Sequence, residues 1–169
     1  MSQNCYAYAV RCADRINPGD LAGATYTDNS DDELRRAAEA DGLEFAGGGT
    51  ALPALHPGSY LVALIATSAD RVNYHWLRMH ADGTWSHKPG NGTVQGSDAD
   101  GNALNHGNPP HAANFYFRAF FESSPKRMLL MATAEQQGWA LNYDRFVGYF
   151  YCPNIGLQAR EKKGCCIMQ

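Results

Sequence analysis

Three side chains in this 169-residue chain have the types and spacing for acyl-transfer chemistry: Cys5, His75 and His87. A thiol beside an imidazole is a nucleophile with its own base, and a second imidazole can hold the first in one orientation. Both histidines lie in "YHWLRMHADGTWSH", which reads as a hairpin with Ala81, Asp82 and Gly83 as its loop. In that register Met79 faces Trp85 and Leu77 faces His87. Alternation then puts His75, Leu77, Met79, Trp85 and His87 on one face, and Trp76, Arg78, His80, Thr84, Ser86 and Lys88 on the other. The first face is the apolar one, so both imidazoles are expected to point into the body of the domain. A two-residue Asp82-Gly83 loop would shift the register and split the set.

Cys5 opens "NCYAYAVRCADRINPG", which predicts a helix of about three turns stopped by Asn17, Pro18 and Gly19. Cys5, Ala9, Cys12 and Ile16 fall on one face of it. Taken alone, Cys5 is therefore also readable as a small core residue like its neighbour Cys12. Its place in the first turn favours the chemical reading. The helix dipole, the unpaired N–H groups and a nearby imidazolium would stabilise a thiolate near neutral pH. The same N–H groups, next to Asn4 and Tyr6, could bind an oxyanion. On this reading Cys5 is the nucleophile, His75 the base and His87 the residue that orients it.

The elements that must position these groups are legible in part. "SDDELRRAAEADG" predicts a second helix, capped by Ser30 with Glu33 three residues on and stopped by Gly42. "GGGT" at 47–50 is a flexible break, and "SYLVALIATS" reads as a strand buried on both faces. Residues 90–113 lack periodicity and read as a long surface loop. "NFYFRAFFES", "RMLLMAT" and "RFVGYFYCP" suggest three more strands, with a turn or short helix over 136–143. His80, His106 and His111 are expected to be exposed. The fold expected is a single α+β domain over 1–157, followed by a flexible basic tail over 158–169.

Composition excludes several classes. Hydrophobic residues at 44% and charged residues at 18% are those of an ordinary globular chain. A net charge of −3 without a basic run in the body argues against nucleic acid. No apolar stretch approaches the roughly 20 residues of a transmembrane helix. "MSQNCYAYAV" lacks the features of a signal peptide, so a reducing cytosol is expected. The five cysteines, an odd number, do not form a disulfide framework, and no CxxC pair with nearby histidines suggests zinc. Neither a metal nor another cofactor is expected.

Taken in chain order, the motifs resemble those of a known family. "NCYAYAV" resembles the nucleophile helix of the NlpC/P60 branch of papain-like cysteine peptidases. "LHPGSYLVALI" is similar to the strand that precedes that family's catalytic histidine. "HWLRMHADGTWSH" is similar to its strand–turn–strand, with two histidines twelve residues apart. The order Cys, His, His is also the family's, and the resemblance covers roughly residues 3–88. Asn4 stands where Asp is common, and Tyr6-Ala7 where a small Ser-Gly pair is usual. The resemblance implies a papain-like core, with a nucleophile helix packed on an antiparallel sheet. It also implies a cysteine hydrolase (peptidase, amidase or deamidase) that acts on a protein or peptide through Cys5, His75 and His87. A lipid-directed acyltransferase or phospholipase of the same fold, and an inactive binding module, are the alternatives.

The last four residues, Cys166-Ile167-Met168-Gln169, fit the C-a-a-X pattern, with Gln favouring farnesyl. Cys165 offers a palmitoylation site, and Arg160, Lys162 and Lys163 add positive charge. A prenyl chain contributes ~0.8 kcal/mol per buried CH₂, and stable anchoring takes a second signal. The expectation is a protein at the cytoplasmic face of eukaryotic membranes, modified by the cell's prenyltransferase. It is either a eukaryotic protein or a bacterial effector, secreted without a signal peptide and lipidated in its host. Cys166→Ser should therefore release the protein into the cytosol, and Cys165→Ser should weaken its association. Fractionation with and without a farnesyltransferase inhibitor checks this, and wild type that stays soluble in untreated cells defeats it.

Overall fold

A run of eight apolar or small residues becomes the centre of the sheet because both of its faces can be covered. The computed structural model describes residues 3–28, 30–68, 73–90, 92–118, 122, 124–136 and 142–158. The tail over 159–169, with Cys165 and Cys166, lies outside these residues. In chain order the elements are α1 (Cys5–Ala9), α2 (Asp31–Asp41), β1 (Glu44–Gly47), β2 (Ser59–Ala66), β3 (Tyr74–Met79), β4 (Trp85–His87), α3 (Pro125–Gln136) and β5 (Arg145–Pro153). The strands form one antiparallel sheet in the order β1-β5-β2-β3-β4. The architecture is α+β, with short helices around a five-stranded sheet.

Each face of the sheet carries its own core. On one face Tyr6, Ala9, Val10, Leu34, Ala38, Val62, Leu64, Trp76 and Phe150 pack together, bringing α1 and α2 onto β2, β3 and β5. On the other, Leu61, Ala63, Ile65, Leu77, Met79 and Trp85 pack with Leu104, Phe115, Tyr149 and Tyr151. The hairpin has the three-residue loop and the register read from its pattern, with Met79 opposite Trp85 and Leu77 opposite His87. Gly83 takes φ +80, and Thr84 N–H and Oγ1–H donate to Asp82 Oδ1, which closes the turn.

Several expectations are corrected. The first helix ends at Ala9 instead of running three turns, because Arg11 adopts a left-handed φ of 54°. Cys12 N–H then bonds Ala7 O (2.9 Å) and Arg11 N–H bonds Tyr8 O (3.3 Å), the paired closure of a Schellman motif with Arg where Gly is usual. Arg11 is held there by stacking on Tyr60 and by donating to Asn154 O. Cys12 and Ile16 are nonetheless buried, as the stripe requires. "RMLLMAT" lies in α3, not in a strand. Its residues are good helix formers, and Ser124-Pro125 supplies a helix start, with Met128 N–H bonded to Ser124 O. In "NFYFRAFFES" the described residues make only the isolated bridge from Tyr116 to Asn142. β1 was not expected at all.

The 90–113 segment is ordered through side chains. Asp98, 6% exposed, accepts from Asp100 N–H, Asn102 N–H and Asn108 Nδ2, and a two-way backbone bridge ties Gln95 to His87. Behind α1, Gly156 packs against the helix end: its φ is +76°, and a Cβ there would lie 2.7 Å from Val10 O and 2.8 Å from Arg11 Cβ. Gly156→Ala should therefore lower the stability by roughly 2–4 kcal/mol, since neither the backbone nor the neighbour can give way. Urea unfolding measures this, and an unchanged midpoint would show that the contact is soft.

Candidate active site

The two histidines meet because His87 sits opposite Leu77, which makes His75 its diagonal neighbour on the same sheet face. His75 Nε2 and His87 Nδ1 are 2.9 Å apart, and His87 Nε2 is 2.9 Å from the Ser97 carbonyl oxygen. A carbonyl only accepts, so the network assigns the proton of His87 to Nε2. In the neutral ring Nδ1 is then an acceptor, and His75 must donate to it from Nε2. That leaves the lone pair of His75 on Nδ1, free to take a proton. Both rings are buried, at 3% and 0% exposure. Burial holds each below the ordinary imidazole value, His75 furthest because His87 adds its charge, so both are neutral at rest.

Both rings point into the body of the domain as expected, but on the sheet face opposite the one that α1 covers. The sheet is buried on both sides, so an apolar hairpin face does not have to meet α1. The imidazoles pack among Phe115, Phe117 and Tyr143, while α1 packs on the opposite side against Trp76. Cys5 reaches β3 at its edge. β4 pairs only with Leu77, Arg78 and Met79, which leaves the edge bare over 74–76, and there the Trp76 N–H points to the sulfur of Cys5. Among the described residues no hydrogen bond joins Cys5 to either histidine; the edge of β3 is what they share.

Local sequence explains how Cys5 is held. Asn4 caps α1, its Oδ1 accepting from Ala7 N–H (2.9 Å) while its Nδ2 donates to Asn17 Oδ1 (3.2 Å). An Asp could not make the second bond, which accounts for Asn at this position. Tyr6 turns inward, packing at a tilt against Trp76 and donating to Asp41 Oδ2, so its ring lies in the core. Tyr74 donates to Asn17 Oδ1, and Tyr26 packs edge-on against Tyr74.

The thiol is not a preformed thiolate. Burial pushes Cys5 up to about 11, and the N–H groups of Trp76, Tyr6 and Cys5, with the charge of Arg15, pull it back only in part. A five-residue helix has too little dipole to offset the lost hydration. The remaining histidines are structural or exposed. His80 is half-buried and bonded to Ser86 Oγ, and His111 is half-buried and bonded to the Tyr149 hydroxyl, both against expectation. His106 is exposed.

No protein-family model matches the chain, and no solved structure matches it. It is 32% identical over 104 residues to insoluble matrix shell protein 1 of the mollusc Ruditapes philippinarum. That alignment spans 60% of this chain and 65% of the shell protein's length.

The thiol's environment sets its reactivity. Alkylation of Cys5 by iodoacetamide should rise with pH through a transition near 11, against ~8.5 for a free thiol. Rates followed by mass spectrometry of the Cys5 peptide test this, and a transition below neutral pH would restore the thiolate expected from the helix dipole.

Proposed function

We propose that the protein is a cysteine acyl-transfer enzyme of papain-like design that hydrolyses amide bonds in a protein or peptide. The observation that carries the reading is the hydrogen-bond chain from Ser97 through His87 to His75, which leaves one unprotonated nitrogen at the end of β3 where Cys5 sits. Two desolvated imidazoles are a poor way to fill a core that apolar side chains would fill without lost hydration.

Cys5 Sγ attacks the carbonyl carbon while its proton passes to His75 Nδ1. The C–N bond then breaks, His75 returns the proton to the leaving amine, and a thioester remains on Cys5. Water gives a proton to the same Nδ1 and attacks the thioester; the acid leaves, and the thiol is restored. Throughout, His87 accepts from His75 Nε2–H and so stabilises the imidazolium, as an orienting residue does in a triad. Because thiol and imidazole are both neutral at rest, proton transfer accompanies attack.

The lipid alternative is less well supported. A groove of about 420 Å³ with a mixed lining, Leu52, Leu61 and Met79 beside Asp82 and His106, adjoins the hairpin tip. It lies at the Met79 end of β3, five residues from Tyr74 and so about 16 Å from the nucleophile's end. It is not a channel to Cys5. A non-catalytic module is the second reading, favoured by the likeness to a protein named for an insoluble shell matrix. The membrane anchor at Cys166 and Cys165 belongs to the proposal for where the enzyme acts. No helix among the described residues is long and apolar enough to cross a membrane.

Acetylation of Cys5 by p-nitrophenyl acetate tests the reading. His75→Ala should slow it about 10²–10⁴-fold, the usual worth of a general base. His87→Asn should lose less than His87→Ala, because the amide oxygen still accepts from Nε2–H. Since both imidazoles titrate below their ordinary value, the acid limb of the wild-type rate should lie below ~6.5. A wild type acetylated at Cys5 no faster than the unfolded chain would leave the non-catalytic module standing.

A further inference from the structure

No motif in the chain points to Tyr143, yet the fold brings it to the site. Its N–H donates to Phe115 O (3.2 Å), and the adjacent Asn142 is bridged to Tyr116. Two residues on, Arg145 pairs with Ala66, which also pairs with Tyr74, so Tyr143 stands at the His75 end of the sheet. Its ring stacks on that of His75, with centroids 5.3 Å apart and planes at 27°.

The hydroxyl is the informative atom. The hydroxyls of Tyr6, Tyr60, Tyr149 and Tyr151 each have a partner in Asp41, Ala9 O, His111 or Ala54 O. That of Tyr143 has none among the described residues, although the side chain is half-buried. It is not among the fully buried polar atoms left without a partner, so it is open to solvent and within reach of a bound substrate. Burial, and then the charge that Cys5 would carry, hold it well above the ordinary phenol value, so it remains a donor at every working pH. Attack by Cys5 creates negative charge on the acyl oxygen. The Cys5 and Tyr6 N–H groups flank the sulfur, and Ala7 N–H is already taken by Asn4. A further donor would complete the hole, and Tyr143 lies near enough to Cys5 to feel its charge.

We propose that Tyr143 donates its hydroxyl to the acyl oxygen of the substrate and stabilises the oxyanion formed when Cys5 attacks. This rests on the reading of Cys5 as the nucleophile. The test compares two reagents on the full chain, each followed at the Cys5 peptide by mass spectrometry. With p-nitrophenyl acetate, Sγ bonds to the carbonyl carbon, the C–O bond to 4-nitrophenolate breaks and the thiol proton leaves through His75. An oxyanion forms on the way. With iodoacetamide, Sγ displaces iodide from a CH₂ group, and no oxyanion forms.

Tyr143→Phe keeps the ring on His75 and removes only the hydroxyl. Acetylation should fall about 10²–10³-fold, as for loss of one oxyanion donor, while alkylation stays within twofold of wild type. Unchanged acetylation would overturn the role of Tyr143 and leave Cys5 as nucleophile. Equal losses with both reagents would also overturn it, because the hydroxyl would then act on the thiol. A wild type that is alkylated but not acetylated at Cys5 would overturn the underlying reading and the proposal with it.

Discussion

The site depends on one acceptor, the backbone carbonyl of Ser97. Because it cannot donate, it fixes the proton of His87, which fixes the proton of His75, which places a lone pair on Nδ1. The carbonyl is itself held by the segment that carries it. Gln95 bridges His87 through two backbone bonds of 2.8 Å, and the Asp98 carboxylate gathers the N–H groups of Asp100 and Asn102. A polar stretch with no regular structure thus controls the tautomer of a base three strands from the sheet's far edge. A donor in place of the carbonyl would reverse both tautomers and put the proton where the lone pair is needed.

The second constraint is that the sheet is covered on both sides. α1 and α2 occupy one face and the 95–117 segment occupies the other. A helix residue and a histidine of the opposite face can then approach only around an edge. β4, three residues long, leaves that edge open over the first half of β3. Had β4 extended two residues further, the Trp76 N–H would have been taken by a strand partner and unavailable to Cys5. The shortness of α1 works in the same direction. By ending at Ala9 it keeps Cys5 in a single turn, clamped at its start by Asn4 and at its end by Gly156 and Leu157, whose N–H bonds Val10 O.

The hairpin was legible because the pairing of Met79 with Trp85 and of Leu77 with His87 follows from alternation alone. β2 was legible because an uninterrupted apolar run has few other fates. What alternation does not specify is which cover each face receives, so it shows the imidazoles pointing inward without showing that α1 lies on the other face. The end of α1 was hidden because the left-handed residue is Arg11, held by Tyr60 and Asn154, far along the chain. "RMLLMAT" reads equally as strand or helix because a short apolar run has no decisive period, and Ser124-Pro125 is the signal that decides for helix. The order in 95–108 rests on Asp98 and Asn108 bonding to neighbours, which leaves no periodic trace. Tyr143 has no signature in the sequence because its contact with His75 joins residues 68 positions apart.

Perturbed titration does not by itself mark the site. Burial pushes Cys152 up to about 11, the same value as Cys5, and the leading cause is the same. The difference lies in what each sulfur meets. Cys152 donates to the Tyr60 hydroxyl, which itself donates to Ala9 O, so the chain ends in a closed set of partners. Among the described residues Cys5 meets the backbone N–H groups of Trp76, Tyr6 and its own residue, which with the charge of Arg15 offset part of the cost of burial, at the end of β3 that also carries His75. A buried thiol with its proton spoken for is inert core. On the proposed reading, a thiol that meets N–H donors instead of an acceptor, next to a histidine whose Nδ1 lone pair is open, keeps its proton free to move when a substrate arrives.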